Sequence, residues 1–145
     1  MAATIIDGFE IARQVREEVA NKTAELKTKG INPCLAVILV GENPASVSYV
    51  TGKQKALAEV GMLDKSIKLP ESTSEEELLA LIDQLNKDDS VHGILVQLPL
   101  PKHINEQKVI LAISPDKDVD GFRPVSVGNL VIGNKSYLPC TSHGI

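Results

Sequence analysis

The sequence predicts an α/β fold with three layers, in which a mainly parallel sheet is flanked by helices. Two observations lead to this prediction. Continuous apolar runs at Cys34–Val40 and at residues 91–96 are typical of strands that are buried on both faces. Amphipathic segments with capping residues alternate with these runs, and that order is typical of parallel strands joined by right-handed crossovers.

The first helix is predicted over residues 8–29. Apolar side chains recur there at helical spacing, and Gly30 can end the helix. The apolar stripe consists of Ile11, Val15, Val19 and Leu26. The stripe is expected to face the core.

A second helix follows the strand Cys34–Val40. Asn43 can cap it, Pro44 suits its first turn, and it is expected to end near Gly61. Residues 65–69 then alternate between polar and apolar side chains, which predicts a less buried strand.

The third helix opens at residues 72–77, where hydroxyl side chains precede three acids in the first turn. Its predicted apolar face consists of Leu78, Leu81, Ile82 and Leu85. After the strand at residues 91–96, the pattern predicts short helices over residues 104–113 and 125–133. Residues 138–145 are expected to form a connector without a helix or strand.

Composition places the chain among soluble globular proteins. With 145 residues and a hydrophobic content of 43%, it can form one domain with a core. The net charge of −4 argues against nucleic acid as a partner, because phosphate binding needs basic patches. No apolar run approaches the ~20 residues that span a bilayer, so no membrane partner is expected.

The cysteines and the N-terminus favour a cytoplasmic location. Cys34 and Cys140 lie far apart without Cys-x-x-Cys spacing, which fits a reduced compartment and argues against a zinc site. Residues 1–7 show no signal-peptide pattern.

Three polar side chains on the second helix form the strongest candidate for chemistry. Ser46, Tyr49 and Lys53 lie at i, i+3 and i+7, which places a hydroxyl, a phenol and an amine on one face. This arrangement predicts a proton-transfer site beside an aromatic platform. The alternatives are a solvated lysine, a core tyrosine and a serine that bonds locally to the backbone. Gly52 costs about 1 kcal/mol inside a helix, so a close approach is expected there.

Gln97 follows the buried strand at residues 91–96. Since ligands gather at the carboxyl ends of parallel strands, Gln97 and Lys53 are predicted to lie at the same edge of the sheet. A hydrogen bond that only fixes the loop is an equally good interpretation of this amide.

Asp116, Asp118 and Asp120 raise the question of a metal site. The further ligands and the closing glutamate of a calcium loop are missing, so no metal is predicted. The Asp120 carboxylate suits an N–H and amino edge, such as that of a pterin or a guanidine, or it forms an Asx turn. The chain contains no Gly-x-Gly-x-x-Gly and no Walker A loop, so it carries no nucleotide fingerprint.

Four motifs in order and spacing resemble those of the bifunctional methylenetetrahydrofolate dehydrogenase/cyclohydrolase family. The resemblance covers residues 3–145, which correspond to roughly the first half of a family member. Ser142 departs from it, because the family has a second proline there. The motifs are Ser46-x-x-Tyr49-x-x-x-Lys53, Gly93-Ile-Leu-Val-Gln97-Leu-Pro-Leu-Pro101, Lys117-Asp-Val-Asp-Gly121 and Leu138-Pro-Cys-Thr141.

The resemblance implies a role for each site residue. Lys53 would be the acid/base, with Gln97 hydrogen-bonded to it and keeping its amine neutral and oriented. Tyr49 would stack on the folate, and Asp120 would hold the pterin edge. The remaining contacts implied for the folate substrate come from Ser46, Leu98 and Pro99, and Thr141 would approach the nicotinamide cofactor.

The resemblance also implies an activity and a domain organisation. Residues 1–138 would be the catalytic, folate-binding domain, and residues 139–145 would begin the connector to a missing Rossmann domain that binds NADP. The whole enzyme would oxidise 5,10-methylenetetrahydrofolate with NADP to the 5,10-methenyl form and hydrolyse that to 10-formyltetrahydrofolate. Without the second domain, no dehydrogenase activity is expected. The full-length protein would be a homodimer, and this part alone a monomer.

Two alternatives stay open at this point. One is a two-domain dehydrogenase that acts on another small substrate. The other is a non-catalytic folate-binding module in which Lys53 pairs with substrate carboxylates.

Overall fold

The structure is a computed structural model that describes residues 6–144. Three strands alternate with the first helices, and three shorter helices follow. The strands are β1 (Cys34–Val40), β2 (Leu63–Leu69) and β3 (Gly93–Val96). The helices are α1 (Gly8–Thr28), α2 (Pro44–Glu59), α3 (Glu75–Lys87), α4 (Glu106–Ala112), α5 (Pro124–Val131) and α6 (Cys140–His143), with a 3-10 turn at Pro115–Lys117.

The sheet is parallel throughout, in the order β2-β1-β3. In the centre of the sheet Ile38 lies opposite Ile67 on one side and Val96 on the other. Strand β1 is almost entirely buried, whereas β2 is an edge strand with several exposed side chains. The predicted parallel α/β architecture is therefore confirmed, including the lower burial of β2.

Helices cover both faces of the sheet, and β1 divides its side chains between two apolar clusters. Ile38 and Val40 pack with Leu78 and Ile82 of α3, in the cluster that also includes Val109 of α4. Val37 and Leu39 pack with Val50 of α2 on the opposite face. Because successive strand residues point to opposite faces, this division produces the three predicted layers.

Side-chain caps start the helices that lead away from the sheet edge. Asn43 accepts hydrogen bonds from the backbone N–H groups of Ala45 and Ser46, as its position before Pro44 predicts. Ser74 and Glu77 form a complete capping box at the start of α3. The predicted helix starts are thus fixed by local hydrogen bonds.

Helix α1 differs from the prediction that its apolar stripe faces the core. Ile11 and Val15 are 49% and 52% exposed, and Thr23 is the buried residue of the helix. The reason is its position: α1 packs along α2 rather than onto the sheet, so only its second half meets other side chains. Thr23 and Lys27 approach the turn at Gly61, where α2 has ended.

The predicted connector at residues 138–145 is wrong in one respect, because it contains the short helix α6. The backbone N–H groups of His143 and Gly144 donate to the carbonyls of Pro139 and Cys140. Pro139 precedes the first turn and has no N–H of its own to satisfy, which suits a helix start. Among the helices of residues 6–144, none is long and apolar enough to cross a membrane.

Candidate functional site

Lys53 and Gln97 meet at the carboxyl edge of the sheet. The Lys53 Nζ donates a hydrogen bond of 2.9 Å to the Gln97 Oε1. Both side chains are half-buried, and they come from α2 and from the residue directly after β3. The predicted meeting of these two residues at one sheet edge is what the topology produces.

The amide of Gln97 is held in one orientation. Its Nε2 donates to the Leu98 carbonyl at 2.9 Å, and its backbone N–H donates to the Ile38 carbonyl at 2.8 Å. Because the amide nitrogen already has an acceptor, the oxygen is the atom that faces Lys53. The two alternatives for Gln97 therefore both apply, since the same side chain fixes the loop and contacts the candidate base.

Tyr49 places an exposed ring beside the lysine. Its side chain is 67% exposed, and the Lys53 Nζ lies 5.8 Å from the centroid of the ring. A Cβ built on Gly52 meets no described atom within 4 Å, so the surface between these residues is open. The ring is thus free to stack against a planar ligand, and the core interpretation of Tyr49 is wrong.

Asp120 is half-buried near the same lysine. Burial raises the pKa of its carboxyl, the Asp118 carboxylate adds to this, and the positive charge of Lys53 opposes it. Asp120 lines a small apolar cavity together with Leu98 and Phe122. A carboxyl group in such surroundings gains from a ligand that donates N–H groups to it.

Asp118 holds this segment in place, a role that the sequence analysis missed. Its buried carboxylate accepts from the backbone N–H groups of Phe122 and Arg123, at 3.3 Å and 3.0 Å. The hydroxyl of Ser126 donates to it at 2.7 Å. Lys117 in turn donates from Nζ to two backbone carbonyls at the end of α3. Asp118 thereby ties the segment that carries Asp120 to the start of α5.

Two glycines let the Asp120 segment lie close to its neighbours. A Cβ on Gly93 would lie 2.6 Å from the Cγ1 of Val119, and a single backbone bridge joins Ile94 to Asp118. Gly121 has a φ of +66° and lies against the Tyr137 carbonyl, where a Cβ would come within 2.6 Å. Only glycine fits either position without a shift of the chain.

The other predicted contact residues are distributed around this centre. Ser46 is buried one turn before Tyr49, and Leu98 packs against the core and lines the cavity with Asp120. A cis peptide bond joins Leu98 to Pro99, and Pro99 lines a separate cavity beside Gly41. Thr141 is exposed on α6.

The described residues do not fit a nicotinamide dinucleotide. At the start of α2, where parallel α/β folds hold a pyrophosphate, Pro44 lacks an N–H group. The next two backbone N–H groups already donate to Asn43. Within residues 6–144, no three His, Cys, Asp or Glu side chains come together as a metal site, and Asp118 is engaged in the backbone bonds given above.

Taken together, the fold and the site define an α/β domain with a lysine–amide pair beside an aromatic platform and a half-buried carboxyl group. A sequence model of the tetrahydrofolate dehydrogenase/cyclohydrolase catalytic domain matches residues 6–120. The chain belongs to this family, and the resemblance carried by the four motifs is confirmed.

Curated relatives and solved structures agree with this assignment. The bifunctional protein FolD of Moorella thermoacetica is 60% identical over 99% of the chain, and that of Bacillus subtilis is 57% identical over 100%. A crystal structure of the bifunctional FolD methylenetetrahydrofolate dehydrogenase/cyclohydrolase from Campylobacter jejuni gives a TM-score of 0.96 at 51% identity, covering 99% of the chain and 51% of its own.

A third comparison concerns a structure with bound ligands. The Trypanosoma brucei N5,N10-methylenetetrahydrofolate dehydrogenase-cyclohydrolase, complexed with NADP cofactor and inhibitor, gives a TM-score of 0.92 at 36% identity. It is covered over 50% of its length by 99% of this chain. The chain likewise spans 51% of the length of the curated relatives from M. thermoacetica and B. subtilis.

Proposed function

We propose that this chain is the folate-binding catalytic domain of an enzyme that oxidises 5,10-methylenetetrahydrofolate with NADP and hydrolyses the product to 10-formyltetrahydrofolate. The observation that carries the proposal is the 2.9 Å hydrogen bond between Lys53 and Gln97 beside the exposed Tyr49 ring. Family membership supports the substrate, because the relatives with this pattern are named for folate chemistry.

In the hydrolytic step, water adds to the methenyl carbon and loses a proton, and the bond from that carbon to N5 then breaks as N5 gains a proton. Lys53 is proposed to accept the first proton at Nζ and to deliver one to N5, so the net reaction releases one proton. Gln97 Oε1 accepts one N–H of the amine and thereby directs its lone pair toward the substrate.

The neighbouring residues are proposed to position the substrate. Tyr49 stacks on the ring system of the folate, and Asp120 accepts hydrogen bonds from the pterin edge. Ser46, Leu98 and Pro99 are proposed as further substrate contacts around this centre. Fixing the methenyl carbon close to the lysine lowers the entropic part of the barrier.

The oxidation step needs a cofactor for which the described residues offer no fitting cradle. NADP is therefore proposed to bind outside this chain, with Thr141 as the residue that approaches it. Residues 1–138 are proposed as the domain and residues 139–145 as the start of a connector. A homodimer is proposed for a protein of the relatives' full length, and a cytoplasmic location is supported by the unpaired Cys34 and Cys140.

The test is the loss of 5,10-methenyltetrahydrofolate absorbance with this chain, without any nicotinamide cofactor. Lys53→Met should lower the rate by about 10²–10⁴-fold, the usual contribution of a general acid–base group. Lys55→Met is the matched control, because Lys55 is exposed two residues further along the same helix.

Binding of the folate is measured on the same samples. The proposal requires that Lys53→Met retains binding while it loses the hydrolysis. If binding falls instead and the wild type shows no hydrolysis, the chain is a non-catalytic folate-binding module. If the wild type neither hydrolyses nor binds the folate, the proposed substrate is wrong.

A further inference from the structure

An open groove runs along α2 away from the lysine–amide pair. It has a volume of about 380 Å³, and α1 contributes one wall. A side chain at position 52 would occupy it, but Gly52 leaves this part of the groove open. The groove is lined by Arg16, Ser48, Tyr49, Gly52, Lys53 and Ala56.

Arg16 places a positive charge in this groove with few competing partners. Its Nη1 lies 3.4 Å from the Glu59 Oε2, and both side chains are more than half exposed. Arg13, on the same helix and equally exposed, makes three hydrogen bonds to Glu10 and Glu17. Most donors of the Arg16 guanidinium therefore remain available to a ligand, whereas those of Arg13 are engaged.

The length of the groove suits the part of a folate that the proposed function leaves unplaced. Tyr49 and Ala56 are seven residues apart on one helix, which corresponds to about 10 Å. If the pterin contacts Asp120 and the reacting carbon lies at Lys53, the benzoyl ring reaches Tyr49. The next unit of the substrate is glutamate, whose carboxylates are negative at neutral pH.

We propose that Arg16 binds a glutamyl carboxylate of the folate, so that the α1–α2 groove is the subsite for the acidic tail. This inference rests on the proposed function. A guanidinium recognises a carboxylate through two parallel N–H···O bonds. In the free protein Glu59 occupies part of the same guanidinium and competes weakly with the substrate.

The experiment compares the dissociation constants of tetrahydrofolate and of tetrahydropteroate, which lacks the glutamate, for the 145-residue chain. Arg16→Gln should weaken tetrahydrofolate binding about tenfold and leave tetrahydropteroate binding unchanged. Arg13→Gln, the matched control, should change neither constant. Glu59→Gln should strengthen tetrahydrofolate binding about twofold, because it removes the competing carboxylate.

Two results would overturn the inference while the proposed function stands: equal losses for both ligands in Arg16→Gln, or equal losses in Arg16→Gln and Arg13→Gln. A wild-type chain that binds neither ligand would overturn the proposed function itself, and the inference with it. The thermal unfolding of each variant is recorded first, because a variant that unfolds is replaced by Arg16→Lys, which should retain part of the affinity.

Discussion

Lys53 and Gln97 lie 44 positions apart in the chain, and their side chains are joined by a hydrogen bond of 2.9 Å. One comes from the helix after β1, and the other follows β3, which pairs directly with β1. The parallel order of the strands is what brings them to the same edge. The candidate chemistry is therefore a product of topology rather than of any local motif.

Asp120 is expected to exchange stability for binding. Its raised pKa means that the folded state favours the neutral acid, so its stabilising effect is present at low pH and lost as pH rises through the raised value. Asp120→Asn should therefore raise the Tm at pH 8, and the two proteins should converge near pH 3. The same variant should weaken folate binding about tenfold, because a charged acceptor is lost.

The measurement for Asp120 is thermal unfolding across this pH range, with folate titration at pH 8. A gap in Tm that is the same at both ends of the range would contradict the assigned effect of burial. Asp116→Asn is the control, because that side chain is exposed in the same segment.

Asp118 is expected to matter for stability. Asp118→Ala leaves two backbone N–H groups and one hydroxyl without their buried acceptor, which should lower the free energy of unfolding by about 3 kcal/mol. Ser126→Ala removes one of these bonds and should cost about 1 kcal/mol. Urea denaturation measures both. If Asp118→Ala costs no more than Ser126→Ala, the carboxylate does not hold the segment as described.

The close approach at Gly93 gives a packing test. Gly93→Ala would bring a methyl group to 2.6 Å from Val119 and 3.2 Å from Leu35, which should cost about 1–3 kcal/mol of stability. Gly128→Ala is the matched control in α5, where a Cβ meets no described atom within 4 Å. It should stabilise the protein by about 0.5–1 kcal/mol. Opposite signs in urea denaturation are the expected result, and destabilisation by both would show that the helix does not tolerate alanine.

The sequence allowed the sheet and the central pair to be predicted. The apolar runs specify buried strands, and parallel strands place their carboxyl ends together, so Lys53 and Gln97 could be expected to meet. Asn43 and Ser74 could be assigned as caps because their bonds are local. These are cases in which short-range chemistry or simple topology decides the structure.

Other features depend on packing that a single sequence does not encode locally. The exposure of Ile11 and Val15 follows from the position of α1 along α2, which periodicity does not specify. The same packing turns Arg16 toward the groove beside Tyr49. Asp118 and Asp120 look alike in the sequence, and only the bonds to the start of α5 separate a structural carboxylate from a candidate binding one.

The central claim is that Lys53 and Gln97 act as one unit on the folate. The most direct measurement is a double-mutant cycle on the rate of 5,10-methenyltetrahydrofolate hydrolysis, with folate binding checked for each variant. We expect that Gln97→Ala lowers the wild-type rate by about tenfold or more, but changes the Lys53→Met rate by less than about twofold. If Gln97→Ala lowers both rates by the same factor, the two residues act independently and the central claim is contradicted.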